Sequence, residues 1–359
     1  MHRPDDARPT VSRLRGLESF LVGTTTNGRR RPTIKDVATA AGVSRGTVSR
    51  VINGGHWVSP TAQKAVERAI RTTGYRVNRH ARSLVTGRAN SLAFLLTEPQ
   101  HLLFSDPNFS ILLRGAAEAL AKRGMTLILL VAGTPAEREN VAAYVAAGHV
   151  DGVLLISSHE NDPLIGSLVS QGVPTVACGL PLGYADRVAS VSVDEVGGAR
   201  AMVAHLRASG RRRIAMIAGP QDTPGGRLRL AGYREELGPD YDERLVAYGD
   251  YSVASGGAAM DTLLDRHADL DAVFAASDLM AAGAMTALRK RGLRVPDDVA
   301  LGGFDDSALA ATLDPPLTTM HQPFDRISAE MVALLLDVID GSPHKSVTMP
   351  ASLVIRRTT

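Results

Sequence analysis

Two arginines lie close together in the stretch GVSRGTVSRVING, residues 42–54. Arg45 and Arg50 can each donate two hydrogen bonds to guanine O6 and N7, the commonest specific contact in the major groove of DNA. Gly46 follows the first of them, although glycine costs roughly 1 kcal/mol against alanine in a helix interior. Either the glycine lets the backbone approach a ligand closely, or a first helical turn simply tolerates it.

Short hydroxyl side chains flank these arginines. Such groups suit phosphate contacts, which position a protein on DNA without specifying its sequence. The first of them can equally serve as the N-cap of the helix that follows, or do both. The hydroxyl side chains are Ser44, Thr47 and Ser49.

Three short helical patterns would hold these side chains in place. Thr33 can cap a first helix, IKDVATAA, by accepting a hydrogen bond from a free backbone amide. Ser44 can cap a second helix after a tight glycine turn at residues 41–43, and Ser59, followed by proline, can open a third. Val48 would pack the second helix onto the first. In such a helix-turn-helix the second helix enters the major groove.

Charge is strongly partitioned along the chain. The formal net charge is +3, but residues 29–90 hold 13 lysines and arginines against two acidic residues, a net charge of +11. Residues 1–28 carry +1, and residues 91–359 carry −9. A basic segment joined to an acidic remainder indicates that the first part meets a polyanion; a merely solvated basic face is the alternative.

Composition excludes several classes of protein. The 359 residues are 44% hydrophobic and 21% charged, as in ordinary globular domains, and suffice for two or three of them. A single cysteine, Cys178, excludes an intrachain disulfide framework, and its apolar neighbours indicate a buried side chain. No apolar run reaches the roughly 18 residues of a membrane span, and the N-terminus lacks an apolar signal core. We therefore expect a cytoplasmic protein with no membrane partner.

After Ser91, strand-like apolar runs alternate with helical patterns in two successive series. The first series includes the runs LAFLL, TLILLV and GVLLI, and the second includes RIAMIAG, DAVFAAS and VALGGF. Near-continuous apolar strands between helices indicate parallel sheets covered on both faces. The fold class is therefore α/β, an all-α N-terminal module followed by a body of two similar lobes. A late helix before the last strand indicates that the chain crosses between the lobes more than once.

This order of parts resembles the lactose-repressor (LacI/GalR) family of bacterial transcription regulators, from Pro32 to Arg357. The resemblance is carried by TIKDVATAAGVSRGTVSRVING and GYRVNRHARSLVTG, followed by LRLAGY, SDLMAAGAM, VPDDVALGGFDDS and PPLTTMHQPF. It implies a DNA-binding headpiece, a hinge helix, and a body like the periplasmic sugar-binding proteins. Such a body binds a small effector between its lobes and dimerises.

The domain boundaries follow from this resemblance. Residues 1–30 are expected to be a disordered extension, unless the start codon is misplaced. The headpiece would span 31–77, the hinge helix and its linker 78–90, and the body 91–359. The two lobes of the body would comprise about 91–192 with 322–344, and about 193–321 with 345–359.

For DNA, the resemblance implies that the two arginines and the glycine of the second helix read bases. The hinge, from Asn78 to Leu84, would be a helix too short to be stable alone in water. Paired hinge helices would insert Leu84 into the minor groove and kink the duplex, with small Ala81 permitting their close approach. Ordinary helix packing is the alternative for Leu84. The predicted DNA set is Thr33, Ser44, Arg45, Gly46, Thr47, Ser49, Arg50, Asn53, Asn78, Ala81 and Leu84.

A cleft that binds sugars needs hydrogen-bonding side chains and an aromatic platform where the lobes meet. By resemblance, Arg229 would donate to ligand groups, Asp305 would accept from hydroxyls, and Tyr251 would stack on a sugar ring. A purely structural role stays open for the aspartate and the tyrosine. The predicted effector set is Asp106, Asn108 and Phe109 in the loop after the first strand, with Arg229, Tyr251, Ser277, Asp305 and Gln322.

Some positions depart from the family or lie outside its pattern. Gly179 stands where some sugar-responsive members have an aspartate, and Ser277 where some have asparagine, so effector identity cannot be copied from the family. Asp278 is expected to cap the following helix rather than to touch the ligand. His159 and Arg187 are expected to be solvated loop residues.

Motifs for common enzyme chemistry are missing from the sequence. No GxGxxG follows the first strand, and neither GxxxxGK[ST] nor HExxH occurs. We therefore expect no catalysis, no cofactor and no metal. The expected function is that of a homodimeric, sequence-specific repressor released from operator DNA when a sugar-like effector closes the cleft. Corepressor-dependent repression stays open, as do two remoter alternatives, a headpiece fused to a sugar-processing enzyme and an architectural DNA-binding protein.

Overall fold

A computed structural model of the protein describes residues 32–52, 57–75 and 88–359. The chain divides into two compact units, Met1–Asn78 and Arg79–Thr359. Within the described ranges, no helix is both long enough and apolar enough to span a membrane. Each unit has a hydrophobic core of its own.

The described part of the first unit consists of three short helices, α1 (Ile34–Ala41), α2 (Arg45–Ile52) and α3 (Pro60–Thr73). Each begins where the sequence predicts it. Thr33 is the N-cap of α1, and both its backbone amide and its hydroxyl donate to the Asp36 carboxylate at 2.7 Å. A carboxylate in the first turn also interacts favourably with the helix dipole.

A small apolar core holds the three helices together. Helical spacing places its buried members on facing sides, and they are Val37, Ala38, Val48, Val66 and Ala69. Gly42 forms the turn between α1 and α2 with a φ of +67°, which glycine adopts without steric cost. The Val43 amide then donates to the Ala38 carbonyl at 3.1 Å. The predicted helix-turn-helix is therefore present, with Val48 packed between its helices.

The second unit has two lobes, each with a six-stranded sheet, within residues 88–359. The first lobe begins with β1 (Ser91–Leu96), α4 (Leu102–Ser105), α5 (Pro107–Ala121), β2 (Thr126–Val131), α6 (Pro135–Ala146), β3 (Gly152–Leu155), α7 (Pro163–Ser170), β4 (Thr175–Cys178) and β5 (Ala189–Val193). The second lobe follows with α8 (Glu195–Ala208), β6 (Ile214–Ala218), α9 (Pro224–Leu237), two short 3-10 turns (Gly238–Asp240 and Glu243–Leu245), β7 (Val246–Tyr248), α10 (Val253–Arg266), β8 (Ala272–Ala275), α11 (Asp278–Lys290), β9 (Ala300–Asp305), α12 (Ala308–Thr312) and β10 (Thr318–His321). The chain ends with α13 (Phe324–Ile339), β11 (Ser346–Met349) and β12 (Ser352–Val354).

Both sheets have the layered arrangement that the apolar strands predict. The first sheet has the order β11-β5-β4-β3-β1-β2, and the second β12-β10-β9-β8-β6-β7. In β1, Leu92, Phe94 and Leu96 enter one core while Ala93 and Leu95 enter another. Successive side chains of a strand point to opposite faces, so both faces of the first sheet are covered. All pairings are parallel except that of β12, which runs antiparallel to β10 at the edge of the second sheet.

Within residues 88–359 the chain crosses between the lobes three times, after β5, after β10 and after β11. The boundary predicted at residue 345 is wrong. Strand β11 belongs to the first sheet, where Ser346 pairs with Ser190 of β5, so the third crossing follows Met349. The segment SVTM is short, polar and largely exposed, and it lacks the apolar run that identifies a strand.

Candidate functional site

Four residues of the DNA set are exposed on α2 and its N-cap: Ser44, Arg45 and Gly46 at the start of the helix, and Arg50 in its last turn. A Cβ added to Gly46 would lie 3.7 Å from Ser44 Oγ and 3.9 Å from Arg50 Nη2. These three residues therefore share one exposed side of the helix. The start of a helix also presents free backbone amides, which favour anions such as phosphate.

Ser44 is the N-cap of α2, as predicted. Its Oγ accepts a hydrogen bond from the Thr47 amide at 3.1 Å and lies 2.9 Å from Thr47 Oγ1. Thr47 and Ser49 are only half exposed, so these hydroxyls have less freedom to reach phosphate than the arginines. The run GVSRG also fits the GxSxG pattern of serine hydrolases. That pattern requires a strand before the serine, and here a helix precedes it.

Four members of the DNA set lie outside the described residues: Asn53, Asn78, Ala81 and Leu84. The hinge helix and the insertion of Leu84 into the minor groove therefore stay predictions.

A cavity of about 170 Å³ lies between the two lobes of the second unit. Its lining comes from strand ends and from the helix starts that follow them, because the carboxyl ends of parallel strands from both sheets face the cleft. All eight residues of the predicted effector set line it: Asp106, Asn108, Phe109, Arg229, Tyr251, Ser277, Asp305 and Gln322.

Arg229 is the buried cation of this cavity. Its Nε donates to the Glu195 carboxylate at 2.6 Å, and its Nη1 lies 3.5 Å from Asp305 Oδ1. The guanidinium also lies over the ring of Phe304, 3.9 Å from the ring centroid. Burial opposes the charge, but the carboxylates of Glu195 and Asp305 outweigh it and raise the pKa of Arg229. The cavity thus contains a rigidly held, charged fork of hydrogen-bond donors.

Asp305 and Gln322 form a second polar group beside this arginine. Gln322 Nε2 donates to Asp305 Oδ1 at 2.7 Å. Burial raises the pKa of Asp305 well above its ordinary value. Asp305 ends β9 with a φ of +117°, a strained conformation for a residue with a side chain. Such strain concentrates at functional sites, where the surrounding structure maintains it.

Tyr251 supplies an aromatic face and is also strained, with a φ of +68°. Its ring packs against Gly219, where a Cβ would lie only 2.5 Å from ring atoms. Glycine is therefore required at position 219 for this approach. Burial raises the pKa of Tyr251 to about 12, so the hydroxyl stays protonated, 3.4 Å from Thr223 Oγ1.

The first-lobe members of the set lie at the start of α5. Asp106 is its N-cap, with Oδ1 accepting from the Asn108 amide at 2.9 Å, and Pro107 takes the first helical position. Asn108 and Phe109 are therefore in the first helical turn. The prediction of a loop here is wrong, because an aspartate followed by proline starts a helix. Burial raises the pKa of Asp106.

Two buried oxygen atoms in the cavity lining have no hydrogen-bond partner among the described residues. They are Oδ1 of Asn108 and Oγ of Ser158. Burying such an atom without a partner costs about 1–3 kcal/mol. The cavity lining thus includes two polar side chains whose hydrogen-bonding capacity the described residues leave unfilled.

Ser277, rather than Asp278, caps the helix α11. Its Oγ accepts from the Met280 amide at 3.2 Å. Asp278 is fully buried and does not line the cavity; its carboxylate accepts from the Ser307 amide at 2.7 Å and from the Thr319 hydroxyl at 2.6 Å. Burial raises its pKa to about 6. The prediction of an Asp278 cap is therefore wrong, because the adjacent serine has the extended backbone of an N-cap.

His159 is not the solvated loop residue that the sequence predicts. Its Nε2 lies 2.9 Å from Glu98 Oε1, and its Nδ1 lies 2.8 Å from Asp222 Oδ2. The hydrogen bond with Glu98 is the main reason that its pKa rises to about 9. The two acidic partners come from distant sequence positions, so no local pattern reveals them. Arg187, by contrast, is exposed as expected.

Several cavity residues are not predicted from the sequence, among them Glu98, Ser158 and Glu195. Glu195 begins a helix, where an acidic residue is common, so nothing in the sequence indicates that it pairs with Arg229. Glu98 and Ser158 follow strands β1 and β3. A position just beyond the carboxyl end of a parallel strand is a usable signal for a binding residue.

Chemically, the cavity suits an uncharged, polyhydroxylated ring. Arg229 donates, the carboxylates accept, and aromatic faces flank both. Carboxyl groups outnumber the arginine in the lining, which disfavours an anionic ligand. In residues 32–52, 57–75 and 88–359, no group of three or more histidine, cysteine, aspartate or glutamate side chains could hold a metal ion.

Two families match separate parts of the chain. Residues 33–78 match the bacterial regulatory proteins of the lacI family, and residues 203–359 match the periplasmic binding protein-like domain. The transcriptional regulator CelR of Thermobifida fusca is 48% identical over 331 residues, covering 91% of this chain and 96% of CelR. The transcriptional repressor CytR of Escherichia coli strain K12 is 33% identical over 334 residues, covering 91% and 96%.

Solved structures of two regulators are also similar to this chain over most of its length. A complex of CelR with cellobiose has a TM-score of 0.74 and 45% identity, covering 92% of this chain and all of that one, 100%. The lac repressor dimer bound to operator and the anti-inducer ONPF has a TM-score of 0.80 and 29% identity, covering 92% and 99%. The similarity therefore extends over nearly the whole chain.

Proposed function

The chain belongs to the lacI family of bacterial regulatory proteins, and on this premise we propose that it is a repressor released from operator DNA by a neutral sugar. Its relatives are DNA-binding transcriptional regulators rather than enzymes. The family membership accounts for the helix-turn-helix and for the two-lobed body. The sugar and the direction of its effect are the parts that we infer.

The composition of the interlobe cavity is the observation that carries the proposal. A fixed guanidinium at Arg229, acceptor carboxylates, and the unpartnered oxygens of Asn108 and Ser158 complement a ring that bears hydroxyls on several sides. The CelR regulator, which is similar over nearly the whole chain, has been solved with cellobiose. A β-linked glucose disaccharide is therefore the first ligand to test.

For DNA, we propose that Arg45 and Arg50 read base edges while the start of α2 sits on phosphate. Their shared exposure beside Gly46 supports this role. We assign the headpiece to residues 31–77, the hinge and linker to 78–90, and the body to 91–359. Minor-groove insertion by Leu84 belongs to the same proposal.

We further propose that the protein acts as a homodimer in the cytoplasm. A dimer presents two headpieces to a palindromic operator, as in the lac repressor dimer solved on its operator. Operator DNA and the sugar would then be its partners. The cytoplasm is where a bacterial regulator meets both DNA and imported sugars.

The reader role can be tested with Arg50→Ala against Arg71→Ala, which removes the same charge from α3. Operator fragments are first selected from random-sequence DNA, and binding is measured by fluorescence anisotropy on operator and on random duplex. We expect Arg50→Ala to weaken operator binding by about tenfold more than random binding, because a bidentate base contact is worth about 1–3 kcal/mol. Equal losses on both DNAs would remove the reader role.

The effector role is tested by titrating neutral monosaccharides and disaccharides, starting with cellobiose, onto the protein–operator complex. We expect one of them to release the DNA, and a phosphorylated counterpart to have no effect. If no sugar in the panel binds the protein, as judged by melting temperature, the sugar assignment is wrong. If a sugar binds and strengthens the complex, the protein is a corepressor-dependent repressor instead.

A further inference from the structure

Charged side chains of the two lobes meet at a place away from the three crossings. His159, from the loop after β3, contacts Asp222, from the loop after β6, at 2.8 Å. The neighbouring Glu160 carboxylate forms a two-point ion pair with Arg227 of α9, at 2.6 and 3.2 Å. The Glu160 amide also donates to the Asp222 carbonyl at 2.7 Å. Three separate contacts thus join the first lobe to the second.

Strand order places these contacts on the opposite side of the cavity from the crossings. The crossings leave β5, β10 and β11, which lie toward one end of each sheet. The cross-lobe contacts come from the loops after β3 and β6 and from the start of α9, which follows β6; both strands lie toward the other end of their sheets. The cavity lies between, since its lining includes Glu98 on one side and Glu195 and Gln322 on the other.

We propose that Glu98, His159, Glu160, Asp222 and Arg227 form a latch that holds the lobes closed over the effector. This inference rests on the proposed function only for the identity of what the cavity contains. None of these residues belongs to the predicted effector set. The latch supplies the closing contact on the side where no chain connection restrains the lobes.

Glu98 links the latch to the effector cavity. It lines the cavity, and its Oε1 takes hydrogen bonds from His159 Nε2 at 2.9 Å and from Ser157 Oγ at 2.5 Å. Both contacts use the same oxygen, so Oε2 can accept from an effector hydroxyl. A ligand that engages Glu98 therefore holds the carboxylate in the position from which it orients His159 toward Asp222.

The strengths of the contacts differ. The Glu160–Arg227 pair is about 40% exposed on both sides, at 39% and 42%, and exposed pairs contribute little alone. His159 is better shielded, lies between two carboxylates, and has a pKa raised to about 9. The latch therefore depends on all its contacts acting together, and the loss of one should release the others.

The proposal is tested by measuring whether the latch contacts are cooperative. Glu160→Gln, Arg227→Gln and the double variant are made in the full chain without ligand, and hydrogen exchange of the Glu160 amide is measured by NMR or by fragment mass spectrometry. Each single variant should exchange about threefold to tenfold faster, and the double variant no faster than either single one. Additive effects, or wild-type exchange in the single variants, would overturn the latch. Asp298→Asn and Arg294→Gln, which pair within the second lobe, form the matched control and should leave this amide unaffected.

A second measurement connects the latch to the effector. Cellobiose is titrated onto the operator complexes of the same variants, and the concentration for half-release should rise about fivefold in each single variant. Operator affinity without sugar should stay equal or become tighter, because an unlatched body shifts toward the DNA-bound arrangement. If wild-type protein does not respond to cellobiose, the titration is repeated with the sugar that the panel identifies, and the exchange experiment still decides the latch. Weaker operator binding without sugar would contradict the latch.

Discussion

At the scale of single residues, the cavity is lined by polar side chains that the protein holds in place before a ligand binds. Arg229 is fixed by Glu195 and stacked on Phe304, so it is preorganised before any ligand arrives. Asn108 Oδ1 and Ser158 Oγ are buried without partners among the described residues. Arg229 orients a ligand in the cavity, and the two unpartnered oxygens offer hydrogen bonds that a ligand completes.

Ser158→Ala separates ligand binding from stability. The hydroxyl has no partner to lose, so the melting temperature should stay the same or rise slightly, whereas sugar affinity should fall about threefold to tenfold for one hydrogen bond of about 1 kcal/mol. Calorimetric titration and thermal unfolding measure the two effects. Ser170→Ala, on the exposed side of α7, is the control. A lower melting temperature with unchanged affinity would show that Ser158 is structural.

Residue roles could be predicted from the sequence where the chain keeps a family pattern and not where the fold creates the pairing. Arg229, Asp305 and Gln322 lie in recognisable stretches and do line the cavity. His159 and Glu98 are 61 residues apart, and only the parallel order of β1 and β3 brings them together. A charge pair of this kind leaves no trace in local sequence.

At the scale of elements, caps and glycines decide where the helices of the headpiece begin and end. Two glycines four residues apart differ in whether their backbone conformation requires glycine. Gly42 has a φ of +67°, which a side chain would strain, while Gly46 has no such angle, and a Cβ added there would meet only ordinary van der Waals contacts at 3.7 and 3.9 Å. The same substitution at the two positions therefore has opposite consequences.

Gly42→Ala should lower the free energy of unfolding of the headpiece by about 1 kcal/mol, the cost of a left-handed residue with a side chain. Gly46→Ala should leave that free energy unchanged or raise it by up to about 1 kcal/mol, yet weaken operator binding if the backbone approaches the bases. Hydrogen exchange over α1 and α2 in the full chain reports the first effect, and anisotropy on operator DNA the second. Undiminished operator affinity in Gly46→Ala would mean that the helix merely tolerates glycine there.

Strands with continuous apolar runs are predicted correctly from the sequence, whereas a short polar strand is not. The strands β1, β6 and β9 are buried along their whole length and read as apolar runs. Strand β11 is largely exposed and polar, and its place beside β5 depends on backbone pairing and on short hydroxyl contacts such as Ser190–Ser346 at 3.0 Å. Local sequence carries no signal for such an edge strand, so the prediction places the third crossing before β11 rather than after it.

At the scale of the whole body, the two lobes are joined by crossings on one side and by the latch on the other. The Asp194 amide donates to the Met349 carbonyl at 2.8 Å, which ties the first crossing to the third. The first and third crossings are thus joined directly to each other, whereas the latch is the contact on the opposite side of the cavity. This arrangement suits a body whose relative lobe position is set by what the cavity contains.

The latch makes stability depend on pH through His159. Its pKa is raised from the ordinary 6.5 to about 9, so its contribution is fully present below pH 6.5 and is lost as pH rises through 9. The urea midpoint of wild type should exceed that of His159→Gln at pH 6, and the difference should vanish near pH 10. The charged groups around the histidine are Glu98, Arg138, Glu160, Asp162 and Asp222. His344→Gln, at an exposed position, should show no such pH-dependent difference; a constant difference for His159→Gln would remove the charge from the explanation.

The most direct test of the account is thermodynamic reciprocity between the sugar and the operator. Sugar affinity is measured by calorimetry on the free protein and on the protein saturated with operator DNA. If the sugar releases DNA through the body, operator must weaken sugar binding by the same factor by which sugar weakens operator binding. Equal sugar affinities in the two states would contradict the account, and tighter sugar binding on the operator complex would reverse its direction.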